Sequence, residues 1–104
     1  MNAQTQQPVI SFGQLFKFFR IQAGFTTISQ FADTLADKNI IYCESLYYHW
    51  QGNNKVPTNR KLLLQVIAML IDHSGLTTVD QANMLLESAG KGYLTKSELT
   101  QLPQ

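Results

Sequence analysis

The chain has 104 residues, of which 44% are apolar and 14% charged, and a net charge of +1. That length suits one domain whose core needs neither disulfides nor metals, and the near-neutral balance excludes an indiscriminate polyanion binder while allowing a local basic patch. A lone cysteine, Cys43, can form no internal bridge and favours a reducing, cytoplasmic compartment, and the longest apolar run, Leu62 to Ile71, is interrupted by Gln65 and too short to span a bilayer.

Residues 1 to 10 read as a disordered lead-in. They end in "QQPVI", and the opening "MNAQTQQP" has no charge and no secretory pattern. Ser11 is placed to cap a first helix, "FGQLFKFFRIQA", which Gly24 ends. Thr27 caps a second, "ISQFADTLA", and "DKN" reads as a turn. A third helix is expected from about Tyr42 to Gln51, stopping at "GNN". Pro57 closes the next turn, and Thr58 or Asn59 caps a fourth helix, "RKLLLQVIAMLIDH", ended by Gly75. Thr78 with Gln81 and Thr95 with Glu98 are capping-box pairs for a fifth helix and a short sixth. "NIIY" is the only rival strand and is too short for a sheet. No internal repeat is read. The expectation is an all-α, compact bundle of five to six helices, with residues 11 to 104 forming the domain and its C-terminal helical extension.

The helix faces indicate the core. Phe12, Phe16, Phe19 and Ala23 share one stripe of the first helix. Leu15 and Phe18 widen that stripe, so either a later helix covers them or they form a surface for a homodimer or a partner domain. The fourth helix is apolar nearly all round through Leu62, Leu63, Val66, Ile67, Leu70 and Ile71, and is expected at the centre. The fifth offers Val79, Ala82, Leu85, Leu86 and Ala89.

Lys17, Arg20, Ala23-Gly24-Phe25, Thr27 and Phe31-Ala32, followed by "HWQGNNKVP", resemble the lambda-repressor-like (Xre-type) helix-turn-helix family. In its closing pattern Trp50 takes the apolar position, Gln51 the Glu, Asn53 the Gly and Pro57 the Pro. Asn suits a Gly position because it is the residue next most tolerant of positive φ. The resemblance covers roughly residues 12 to 72, and the tail "ANMLLESAGKGYLTKSEL" is similar to the helix that follows such domains at the front of some large bacterial regulatory proteins. It implies a lambda-repressor-like fold and a transcription regulator that binds double-stranded DNA on the bacterial nucleoid. It implies no cofactor. The sequence departs from the family at Ile28, which replaces a Gln after the cap, at the extra Thr26, and in the longer link "ADKNI". These differences bear on a phosphate contact and on the angle between the second and third helices.

Within that frame the third helix is the expected recognition helix. It has no Lys or Arg, so the Arg–guanine contact is out of reach. Its candidates for base contacts are Glu44, Ser45, Tyr48 and His49, which fall on one side by the i, i+3, i+4 rule, opposite Tyr47 and Trp50 with Tyr42 or Cys43. Thr27, Lys55, Arg60 and Lys61 are the phosphate candidates. Cations at a helix start oppose its dipole, which favours an external partner for them. Trp50 is read as a core anchor, and Cys43 as inert, with nothing nearby in sequence to lower its pKa. His49 and His73 lack metal-ligand spacing. With no phosphate loop and no nucleophile–base pair, an enzyme is not expected. The leading expectation is a DNA-binding regulator domain. The alternative is a helix-turn-helix scaffold used as a protein-interaction module, possibly at the front of a larger protein.

Overall fold

The computed structural model describes residues 10–102, so the expected lead-in lies outside the described residues apart from Ile10. Six helices follow one another: α1 (Phe12–Gln22), α2 (Ile28–Asp37), α3 (Glu44–Gln51), α4 (Arg60–Asp72), α5 (Val79–Ser88) and α6 (Lys96–Gln101). No strand occurs among the described residues, and "NIIY" is irregular chain leading into α3. Five starts are set by side-chain caps. Ser11, Thr27, Asn59, Thr78 and Thr95 each accept a bond from the backbone N–H three residues on, which satisfies a donor the helix itself leaves open. The cap of α4 is therefore Asn59 rather than Thr58. α3 is the exception. It starts at Glu44, two residues later than expected, and its N-cap Cys43 makes no side-chain capping bond.

The exits require left-handed backbone. Gly24 (φ 96°) follows α1 and Gly90 (φ 73°) follows α5. After α4 the left-handed residue is Ser74 (φ 62°), not Gly75. Gly75 serves close approach instead, because a Cβ there would stand 2.5 Å from the Phe19 carbonyl oxygen and 2.6 Å from the Ala23 Cβ.

Contrary to the sequence reading, the chain contains a repeated local device. "GFTTISQ" (24–30) and "GLTTVDQ" (75–81) make the same four bonds. The Thr26 N–H and hydroxyl and the Thr27 N–H all donate to Gln30 Oε1, while Thr27 Oγ1 accepts from the Gln30 N–H. Thr77, Thr78 and Gln81 reproduce each of them. The helices that follow, α2 and α5, are both 10 residues long and both end in a left-handed residue, Asn39 (φ 65°) or Gly90 (φ 73°). Ile40 N–H then bonds Leu35 O and Lys91 N–H bonds Leu86 O. The two turns share Gly, Thr-Thr and Gln at the same spacing in the sequence, and the structure shows that they make the same bonds.

An aromatic cluster joins the first three helices. Phe16 meets Phe31 and Trp50 edge-on at 5.2 and 5.6 Å between centroids. Tyr47 meets Phe31 and Trp50 edge-on, both at 5.1 Å. Such T-shaped pairs add to the area they bury. α4 supplies the rest of the core through Leu62, Leu63, Val66, Ile67, Met69 and Leu70, with Ile71 half-buried. On α5, Ala82, Leu85, Leu86 and Ala89 are buried, but Val79 is 50% exposed, so the expectation that it joins the core is corrected. Of the pair expected to widen the α1 face, Leu15 is buried within the chain itself and unavailable to a partner. Phe18 remains exposed.

Candidate nucleic-acid interface

α3 is held from behind. Tyr47 and Trp50 anchor it in the aromatic cluster, and its C-terminal end sits on the start of α1. Gly13 allows that seat. A Cβ there would lie 2.5 Å from the Gln51 carbonyl oxygen and 2.7 Å from both the Trp50 carbonyl oxygen and Asn53 Oδ1. The carbonyl end of one helix therefore meets the N–H end of another, the favourable sense for two helix dipoles. Asn53 takes the left-handed conformation (φ 62°), and its Oδ1 accepts the Gly13 N–H at 3.0 Å. Asn at this Gly position thus supplies both the turn and a cap for α1.

Arg20 ties the same two helices together. Nearly all of it is buried; Nη1 donates to Phe25 O at 2.6 Å and Nη2 to Gln51 Oε1 at 2.9 Å. Burial lowers its pKa, against a smaller opposing pull from the Tyr48 phenol, and its Nε has no hydrogen-bond partner among the described residues. The Arg20–Gln51 bond is tertiary, and sequence reasoning did not foresee it. Two further buried polar atoms of α3, Tyr47 Oη and Trp50 Nε1, have no hydrogen-bond partner among the described residues, and burial pushes the Tyr47 phenol up to about 12.

With its inner side fixed, α3 presents Glu44, Ser45, Tyr48 and His49 outward, all exposed. The inner side is made by Tyr47 and Trp50 with half-buried Leu46. Tyr42 and Cys43, expected to share in it, are both exposed. Ser45 Oγ donates to Cys43 Sγ at 3.2 Å, and that bond lowers the thiol's pKa, which corrects the reading of Cys43 as unperturbed. Thr27 is exposed at the start of α2, its hydroxyl oxygen engaged by Gln30 N–H.

The basic turn is only partly as expected. Lys55 and Lys61 are exposed. Arg60 is committed inside the chain. Nε and Nη2 donate to the two Glu98 carboxylate oxygens at 2.9 and 2.7 Å, Nη2 also to Tyr93 O at 2.8 Å, and Nη1 to Lys91 O. This two-bond fork is the strong geometry for an arginine and a carboxylate. It holds the Glu98 carboxyl down at about 2, mainly through the Arg60 hydrogen bonds. Arg60, expected among the phosphate candidates, is therefore a clasp between the start of α4 and the tail, with most of its donors engaged inside the chain. The clasp draws in a cation the sequence reading missed: Lys91 Nζ donates to Thr58 O at 3.2 Å, within the basic turn. No local pattern announces it, since the turn and Lys91 are joined only through α4, α5 and the clasp.

No protein-family model, curated protein or solved structure matches this chain. Among the described residues no group of His, Cys, Asp and Glu could hold a metal ion, and no helix is long and apolar enough to cross a membrane.

Proposed function

We propose that the chain is a DNA-binding domain of the lambda-repressor-like helix-turn-helix kind. In this reading α3 enters the major groove and the basic turn after it grips phosphates. The observation that carries it is the two-sidedness of α3. Tyr47 and Trp50 lock its inner face, so Glu44, Ser45, Tyr48 and His49 project from a rigid helix with their polar ends outward. Glu44 is suited to accept from the cytosine amino group, and Ser45, Tyr48 and His49 to bond base edges or phosphates. Lys55 and Lys61, with the exposed cap Thr27, supply backbone contacts that position the helix without specifying sequence. A carboxylate near phosphates weakens non-specific attraction, so the reading is of a modest binder that gains from pairing. The expected setting is a transcription regulator on bacterial DNA in the cytoplasm.

The test is duplex binding at low and moderate salt, with site selection by wild type and Glu44→Ala in parallel. Glu44→Ala is expected to bind random duplex more tightly and to lose discrimination at one base pair, a change of about 1–3 kcal/mol at that position. Equal stringency for both proteins removes Glu44 as a reader.

A second reading has its own observation. Phe18 and Ile21, one turn apart on α1, are 55% and 46% exposed. An apolar pair on a helix already packed on its other side suits a partner protein or a second copy. Absence of DNA binding at low salt, with self-association that Phe18→Ser abolishes, selects this reading.

A further inference from the structure

We infer that Lys91, held in place by the Arg60–Glu98 clasp, is a phosphate-contacting residue of the basic turn, and that Arg60 acts through it. The inference rests on the DNA-binding reading and extends it to the tail. Arg60 donates to both oxygens of Glu98 and to the carbonyls of Lys91 and Tyr93, so its charge is answered and four of its five N–H donors are engaged. Lys91 stands in the opposite condition. Its backbone oxygen is fixed by Arg60, its backbone N–H by Leu86 O, and its ammonium lies against Thr58 O at 3.2 Å. An ammonium has three donors, and among the described residues the Thr58 carbonyl is its one hydrogen-bond partner. The one acid in the clasp, Glu98, is answered by Arg60, and Lys91 forms no ion pair among the described residues, so its charge adds to those of Lys55 and Lys61. An ammonium held at the Thr58 carbonyl can meet a phosphate as a point charge rather than a planar fork. Holding the ammonium on Thr58 O removes part of the side-chain ordering cost of binding.

The test measures affinity for random duplex DNA against salt for wild type, Lys91→Gln, Arg60→Gln and the double variant, each checked for an unchanged helical spectrum. Lys91→Gln is expected to lower the slope of log K against log salt by about one unit, a loss of about five- to tenfold at 0.1 M salt, equally on all sequences. Arg60→Gln is expected to lose the same amount and the double variant no more, since both changes remove one contact. A double variant that loses about two units makes Arg60 a phosphate contact itself and overturns the assignment. Should Arg60→Gln unfold, Glu98→Gln replaces it. Loosening the clasp is expected to lower the slope although an acid has gone, and tighter binding by that variant overturns the inference. A wild-type slope that Lys91→Gln leaves intact removes this inference alone, whereas failure of wild type to bind at low salt removes the DNA-binding reading with it.

Discussion

Trp50 and Tyr47 carry opposite lessons about one helix. Both are buried, Trp50 against Phe16 and Tyr47 against Phe31, and both keep a polar atom without a hydrogen-bond partner among the described residues. Removing the indole leaves a cavity where three helices meet, so Trp50→Ala is expected to cost about 3–5 kcal/mol in chemical denaturation. Tyr47→Phe keeps the ring and deletes the buried hydroxyl. Because an unpaired buried donor costs about 1–3 kcal/mol, this change is expected to leave the melting temperature unchanged or raised. A large loss from Tyr47→Phe would show that the hydroxyl has a partner that matters. The sequence identified Trp50 as an anchor from its size and place in the pattern. It did not separate Tyr47 from Tyr42, since an aromatic just before a helix and one inside it look alike until the true start, at Glu44, is known.

Among the elements, the repeated Thr-Thr-x-x-Gln turn allows a controlled comparison. Thr27 and Thr78 accept the same bond, from Gln30 N–H and Gln81 N–H, both at 3.1 Å. Thr27→Ala and Thr78→Ala are therefore expected to cost similar amounts, about 1 kcal/mol each by urea titration. A cost confined to one of them would mean that tertiary contacts, not the cap, stabilise that turn. The clasp between α4 and α6 makes a different prediction. Glu98 has its carboxyl lowered from 4.5 to about 2 by Arg60. A lowered carboxylate pKa stabilises the folded tail fully above the unfolded value, and this is lost as protons bind to it. The tail is expected to loosen as pH falls from about 4.5 toward 2, followed by amide exchange in 91–101. In Glu98→Gln that stretch should exchange faster at neutral pH and lose this pH dependence.

The whole molecule is held together at two close approaches that no helix pattern reveals. Gly13 seats the end of α3 on α1, and Gly75 brings the exit of α4 against Phe19 and Ala23. At Gly75 a Cβ would meet backbone at 2.5 Å, and backbone cannot yield as a flexible side chain does. Gly75→Ala is expected to destabilise the fold by about 1–3 kcal/mol through overpacking, lowering the melting temperature without changing helix content at 25 °C. A neutral Gly75→Ala would show that α1 and the exit of α4 are free to move apart by more than a few tenths of an ångström there.

What the sequence by itself determined was local. Thr27 with Gln30, Thr78 with Gln81 and Thr95 with Glu98 sit within three residues of each other, so the caps, and with them most helix starts, were legible as residue types at short spacings. The all-α character followed from the same signals and from apolar spacing. The outward set Glu44, Ser45, Tyr48 and His49 was legible because helix periodicity alone separates the two sides once Trp50 is assigned inward. Only the tertiary structure decided which polar groups spend their bonds inside the chain. Arg60 and Lys61 are neighbours with the same formal charge, yet one is locked to Glu98 and the other is exposed. That choice depends on where α6 lies against α4, and so on two intervening turns, the first with a left-handed Ser74 and the second with Gly90 and Gly92. Charge is a property of a residue, whereas a charge's availability depends on its neighbours in space, and those neighbours are up to 38 residues away along the chain.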